Sequence, residues 1–187
     1  MSVTTLDPKT ALIVVDLQKG VTGRPLVHPI GEIVANANLL IDAFRGHGLP
    51  IVFVNVDGVA PGRTDAVRNL GPRPPIASEL IVDLHVQPQD HRVTKRTLGA
   101  FTKTDLDRYL RDRAVTQVVV IGVATHAGVE STVRHAQELG FNVTVATDAV
   151  TDVTPEDHVH SINRIFPKIS ETGTTDEVIS MLEKTRE

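Results

Sequence analysis

The stretch "TQVVVIGVATHAGVESTVRHAQELG", Thr116 to Gly140, decides the fold. From Thr116 to Ala124 it is almost continuously apolar, which is typical of a parallel strand covered on both faces. A turn of small residues follows, and a helical pattern then runs to Gly140, a plausible helix terminator. The stretch therefore predicts a buried strand that leads directly into a helix.

The same alternation of strand and helix extends in both directions. Further strands are predicted at Thr10–Leu17, Pro50–Val56, His91–Arg96, Asn142–Ala149 and Lys168–Ser170. Further helices are predicted at Ile30–Gly48, Thr102–Arg113 with Thr104 as N-cap, Thr154–Phe166 with Thr154 as N-cap, and Thr174–Thr185. This order predicts an α/β fold, a doubly wound, Rossmann-like α/β/α sandwich of three layers with a mostly parallel sheet of about six strands. One domain over residues 1–187 is expected.

Composition narrows the class of function. The net charge is −4 and the chain has one Tyr and no Trp, which argues against nucleic acid or an anionic membrane as partner. There is no cysteine, so disulfides, thiolate metal sites and a cysteine nucleophile are excluded. No apolar run approaches the ~20 residues that span a bilayer, and no signal segment is evident, so cytoplasmic residence is expected. A small-molecule substrate is the expected partner.

The segment from Asp57 to about Asp90 is rich in proline and glycine. It predicts a long loop with a short helix at Ser78–Leu84, and loops of this length are commonly lids or pocket walls. Its arginines, Arg63, Arg68 and Arg73, are candidates for binding a carboxylate, although loop arginines are often merely solvated.

Ligands of doubly wound folds bind beyond the carboxyl ends of the strands. Asp16 and Gln18, Lys95, and the turn Ala124–Gly128 all lie at such ends. Burial at a strand end raises the pKa of a carboxyl group and suits Asp16 to proton transfer, unless it only caps a loop. Lys95 would hold an aspartate ionised or position an anionic substrate, or be a solvated surface lysine.

The turn Ala124–Gly128 offers backbone N–H groups and a helix N-terminus, which together favour an anion or oxyanion site. The alternative is structural, with Thr125 as the N-cap and Gly128 allowing close packing. Glu130 and Arg134 form an i,i+4 pair on the same face as His126. The histidines are scattered and no nucleotide-binding glycine motif occurs, so neither a metal nor a cofactor is expected.

Three segments in order resemble the isochorismatase-like hydrolase superfamily: "ALIVVDLQKG", "VTKRTLGAFTKTDLDRYL" and "VVVIGVATHAGVESTVRHAQELGFNVTVATDAVTDVTPEDH". The resemblance implies that Asp16 and Lys95 belong to an Asp-Lys-Cys triad whose nucleophile position is occupied by Gly128. It also implies a cis peptide bond between Val123 and Ala124. The residues that it implies for substrate binding are Gln18, Phe101, Val123, Ala124, Thr125 and His126. The zinc-binding residues of nicotinamidases are not matched, since glycine and valine follow Asp57.

Because glycine cannot attack a carbonyl, the family's acyl-enzyme chemistry is not expected. Isochorismatases resemble this chain in lacking the cysteine, and "THAG" matches their His-x-Gly turn. They hydrolyse a vinyl ether: an aspartate protonates the vinyl carbon and water adds to the oxocarbenium ion. The resemblance thus implies a hydrolase of a small carboxylate-bearing metabolite, in a homodimer or homotetramer. The alternatives are a non-catalytic binding protein and an amidase with Thr125, Ser131 or Thr132 as nucleophile.

Overall fold

A single parallel sheet forms the centre of the molecule. The computed structural model describes residues 3–65 and 74–185. The strands β1 to β6 span Thr10–Val15, Ile51–Val56, His91–Lys95, Gln117–Val123, Asn142–Thr151 and Glu171–Gly173. Their order across the sheet is β3-β2-β1-β4-β5-β6, and every pairing is parallel. The doubly wound arrangement is confirmed.

Helices cover both faces of this sheet. The helices α1 to α7 span Lys19–Thr22, Ile30–Gly46, Leu106–Arg111, Glu130–Glu138, Pro155–His160, Phe166–Ile169 and Thr175–Lys184. Buried side chains of α2 and α7 share one apolar cluster with Leu12 and Val119, and those of α3, α4 and α6 share another with Ile13 and Val120. Because successive side chains of β1 and β4 pack into opposite clusters, both strands are buried at every position. The three-layer prediction is confirmed.

Two predicted elements are wrong in position. Lys168 and Ile169 belong to α6, because the helical path that begins at α5 continues through a π-helical turn, Ser161–Ile165, into α6. The last strand therefore begins only at Glu171, after an extended Ser170.

The short helix predicted at Ser78–Leu84 is instead a 3₁₀ turn at Pro75–Ser78, and the chain is extended at Glu79. Proline is favoured in the first turn of a helix, which explains the earlier start. The residue that directly precedes α3 is Asp105, but the hydroxyl of Thr104 accepts the N–H of Leu106 at 3.4 Å, as a capping residue does, and donates to the carbonyl of Ala100 at 2.6 Å.

The carboxyl ends of the strands lie along one edge of the sheet, and the segments that follow them are the candidate site. Asp16 leaves β1 with a φ of 52°, a left-handed conformation that aspartate tolerates better than most residues. A π-helical turn, Thr125–Val129, connects β4 to α4. Within the described residues, no helix is both long and apolar enough to cross a membrane.

Candidate active site

Asp16 and Lys95 form an ion pair at this edge. The Nζ atom of Lys95, the last residue of β3, lies 2.7 Å from Oδ2 of Asp16, and the two side chains are only 1% and 7% exposed. Nζ also donates to the carbonyl of Leu98 at 2.6 Å, which fixes the ammonium group. The positive charge beside Asp16 stabilises its ionised form. A carboxylate held in this way is suited to proton transfer.

Gly128 lies against this carboxylate. A Cβ atom on Gly128 would lie 2.9 Å from Oδ2 of Asp16 and 3.2 Å from Cγ1 of Val15. The position that carries the nucleophile in the family resembled is therefore in direct contact with Asp16. No side chain at residue 128 fits there unless the carboxylate moves.

The peptide bond between Val123 and Ala124, at the start of the turn around Gly128, is cis, as the resemblance implies. Several N–H groups of this turn are engaged within the protein. Those of Ala127 and Val129 donate to the carbonyl of Ala124, each at 3.1 Å, and that of His126 donates to a carboxylate oxygen of Asp152 at 2.8 Å. The turn thus has fewer N–H groups to offer an anion than the sequence suggested.

A cavity of about 420 Å³ opens above these residues, a size typical of small-molecule sites. The predicted residues that line it are Asp16, Lys95, Val123, Ala124, His126 and Gly128. Most of the remaining wall is aliphatic, including Val56 at the end of β2, Val59 after that strand, and Leu98 after β3. Arg24, which the sequence analysis did not single out, also lines the cavity.

Gln18 has a different environment from the one predicted. Its side-chain amide donates to the carbonyls of Val56 at 3.0 Å and Ala77 at 2.7 Å, and its Oε1 accepts the N–H of Val56 at 2.6 Å. It is buried and does not line the cavity. In this conformation Gln18 joins the end of β2 to the 3₁₀ turn.

Phe101 and Thr125 also lie outside the cavity lining. The centroid of the Phe101 ring lies 6.1 Å from that of the Phe141 ring. The hydroxyl of Thr125 is hydrogen-bonded to Nδ1 of His158 at 2.8 Å. Burial lowers the pKa of His158, and the nearby His28 lowers it further, although the charge of Asp152 opposes both.

Of the three loop arginines, Arg63 alone lies within the described residues. Arg63 is exposed and does not line the cavity, and Arg68 and Arg73 lie outside the described residues. Asp57 is exposed as well. Across residues 3–65 and 74–185, no group of three or more His, Asp or Glu side chains is placed to hold a metal ion.

The sequence analysis did not single out Asp152, the hydrogen-bond partner of the lining residue His126. Asp152, fully buried, accepts a hydrogen bond from Nδ1 of His126 at 2.7 Å. Asp152 directly follows β5, so the rule that directs attention to the carboxyl ends of strands was a usable signal for it.

Known proteins share this architecture. An uncharacterized isochorismatase family protein of Bacillus subtilis, YwoC, is 40% identical over 182 residues, which cover 93% of this chain and 94% of the relative. An isochorismatase family protein of Burkholderia thailandensis of known structure is 39% identical and superposes with a TM-score of 0.93, covering 97% of this chain and 100% of its own. A ureidoacrylate amidohydrolase of Pseudomonas syringae is 29% identical over 79% of this chain and 73% of its own length. Residues 10–177 match the isochorismatase domain model, and the chain therefore belongs to the isochorismatase family of hydrolases.

Proposed function

We propose that this protein hydrolyses a small carboxylate-bearing metabolite with Asp16 as the acid–base residue and Lys95 as its charge partner, without a covalent intermediate. One observation carries the proposal. Oδ2 of Asp16 lies 2.7 Å from Nζ of Lys95 and 2.9 Å from the Cβ position of residue 128. The proton-transfer group therefore borders the position that a nucleophile would occupy, and Gly128 places no side chain there.

Vinyl ether hydrolysis is the concrete reaction. Asp16, ionised beside Lys95 in the free site, first takes up a proton as the substrate binds. It gives this proton to the terminal vinyl carbon, and water adds to the resulting oxocarbenium carbon with loss of a proton. The hemiketal then breaks its C–O bond, and the products are an alcohol and a carbonyl compound. Lys95 offsets the negative charge that remains on Asp16, and the aliphatic walls limit access of bulk water.

Two features support a carboxylate-bearing substrate. Arg24 lines the cavity and carries a positive charge. The Pseudomonas syringae relative is named for ureidoacrylate, which is itself a carboxylate.

We expect the functional unit to be a homodimer or homotetramer, which light scattering measures directly.

The test is turnover of isochorismate by wild type, Asp16→Asn and Asp57→Asn. Proton transfer contributes about 10²–10⁴-fold to a rate, so Asp16→Asn is expected to lower kcat by that factor. Asp57 also follows a central strand but is exposed and outside the cavity lining, which makes Asp57→Asn the matched control. An inactive wild type contradicts vinyl ether hydrolysis of this substrate, and undiminished turnover in Asp16→Asn contradicts the role of Asp16.

A second candidate is a binding protein without catalysis. It is favoured by the same contact, because Asp16 partly fills the nucleophile position that Gly128 leaves empty. It requires that a panel of ethers, amides and esters shows no Asp16-dependent turnover while calorimetry detects ligand binding.

The contacts weigh against a hydroxyl nucleophile. Thr125 is completely buried, and Thr132 donates to the carbonyl of Gly128 at 2.7 Å while accepting the N–H of Ala100 at 3.1 Å. Ser131, like both threonines, does not line the cavity.

A further inference from the structure

Besides the ion pair of Asp16 and Lys95, a histidine–carboxylate pair, His126 and Asp152, lies at the cavity. His126 lies two residues before Gly128 in the π-helical turn, and its side chain is 42% exposed and lines the cavity. Its Nδ1 atom lies 2.7 Å from Oδ2 of Asp152, which is completely buried. Asp152 accepts two further bonds, from the N–H of His126 at 2.8 Å and from that of Val153 at 2.7 Å.

These bonds orient the imidazole. A carboxylate that accepts from Nδ1 holds the proton on that nitrogen, so the neutral ring presents the lone pair of Nε2 as its free acceptor. The ring is half-exposed, whereas the side chains of Asp16 and Lys95 are almost inaccessible. His126 is therefore better placed than Asp16 or Lys95 to exchange protons with solvent.

Other ionisable groups lie on the elements around His126. From the elements packed around the turn and across the cavity they are Asp152, His158, Glu130, Arg24, Asp16 and Lys95. Asp16 and Lys95 offset each other, and Glu130 pairs with Arg134 at 2.9 Å. Asp152 is thus the anion in direct contact with the ring.

We propose that His126, oriented by Asp152, is a second acid–base residue of this cavity. The proposal rests on the hydrolytic function above. When water adds to the oxocarbenium carbon, the C–O bond forms from the water lone pair and Nε2 of His126 takes the released proton. Asp16 has by then given its own proton to the substrate carbon. When the hemiketal C–O bond breaks, imidazolium His126 returns its proton to the leaving oxygen. The hemiketal hydroxyl proton passes back to Asp16 as the carbonyl forms, so both residues regain their starting states.

The kinetic test compares His126→Gln with His85→Gln over a range of pH. His85 is also bonded to an aspartate, Asp42 at 2.9 Å, but it is exposed and outside the cavity lining. His126→Gln is expected to lower kcat about a hundredfold or more with KM changed less than threefold, and to lose the fall of kcat at acidic pH. His85→Gln is expected to keep both. Unchanged kcat and pH profile in His126→Gln, with an active wild type, overturn the proposal and leave the hydrolytic function intact.

Asp152→Asn tests the positioning role separately. Long-range ¹H–¹⁵N spectra of the imidazoles, assigned with His126→Gln, are expected to show neutral His126 with its proton on Nδ1 in wild type. In Asp152→Asn we expect the population to shift toward Nε2–H and kcat to fall at least tenfold. A wild-type ring with its proton on Nε2 overturns the proposal whatever the turnover. A wild type inactive on all substrates overturns the hydrolytic function and with it the catalytic role, and the spectra then decide only the orientation by Asp152.

Discussion

Two glycines six residues apart in the same strand–turn–helix stretch are required for different reasons. Gly122, in β4, has a φ of +121°, and a Cβ there would lie 2.0 Å from the carbonyl oxygen of Val15. Gly128, in the turn, would place its Cβ 2.9 Å from a carboxylate oxygen of Asp16. Consecutive residues of one chain segment, Val15 and Asp16, thus face the two glycines, the first with its backbone and the second with its side chain. The first glycine allows the sheet to form, and the second shapes the site.

The largest effect is expected for Gly122→Ala. Gly122 is the register partner of Val15, so the new methyl group collides with backbone that two parallel strands hold in place. The φ of +121° adds strain for any residue with a Cβ. We expect the free energy of unfolding to fall by about 4 kcal/mol or more, or cooperative unfolding to be lost, in urea titration. A loss no larger than that of Gly128→Ala would show that the backbone contact of Gly122 is no more restrictive than the side-chain contact of Gly128.

Gly128→Ala is expected to cost less stability but to affect the site. Its nearest contact is the end of a side chain, which can shift where backbone cannot. Overpacking of this kind costs about 1–3 kcal/mol, and moving the carboxylate away from Lys95 should also lower turnover. Urea titration measures the first effect and kcat the second. Wild-type turnover in Gly128→Ala would contradict the idea that the contact between Asp16 and residue 128 matters for the site.

The sequence predicted this site to the extent that topology determines it. Asp16 and Gly128 follow the carboxyl ends of β1 and β4, Lys95 is the last residue of β3, and a parallel sheet brings those ends to one edge. The direction of each side chain does not follow from that rule. Gln18 lies two residues beyond Asp16, yet its amide turns away to satisfy backbone groups of β2.

The contact of His126 with Asp152 was harder to predict. It joins residues 26 apart and depends on how β4 and β5 align, and their register shifts between Val120 and Gly122. The last strand was misplaced for another reason. The strand has only three residues, too few to show a periodic pattern. The chain before it stays helical up to Ile169 because Phe166 is buried in the core.

The smallest effect, with the opposite sign, is expected for Gly31→Ala. Gly31 lies in the first turn of α2, is exposed, and a Cβ there meets nothing within 4 Å. Because alanine restricts the unfolded chain and costs nothing in this helix, we expect the free energy of unfolding to rise by about 0.4–1 kcal/mol in urea titration. Turnover should be unchanged, since the residue is outside the cavity lining. If Gly31→Ala is destabilised, open space around a glycine does not predict that alanine is tolerated there. The contrast between Gly122 and Gly128 would then have a cause other than the atoms that each glycine contacts.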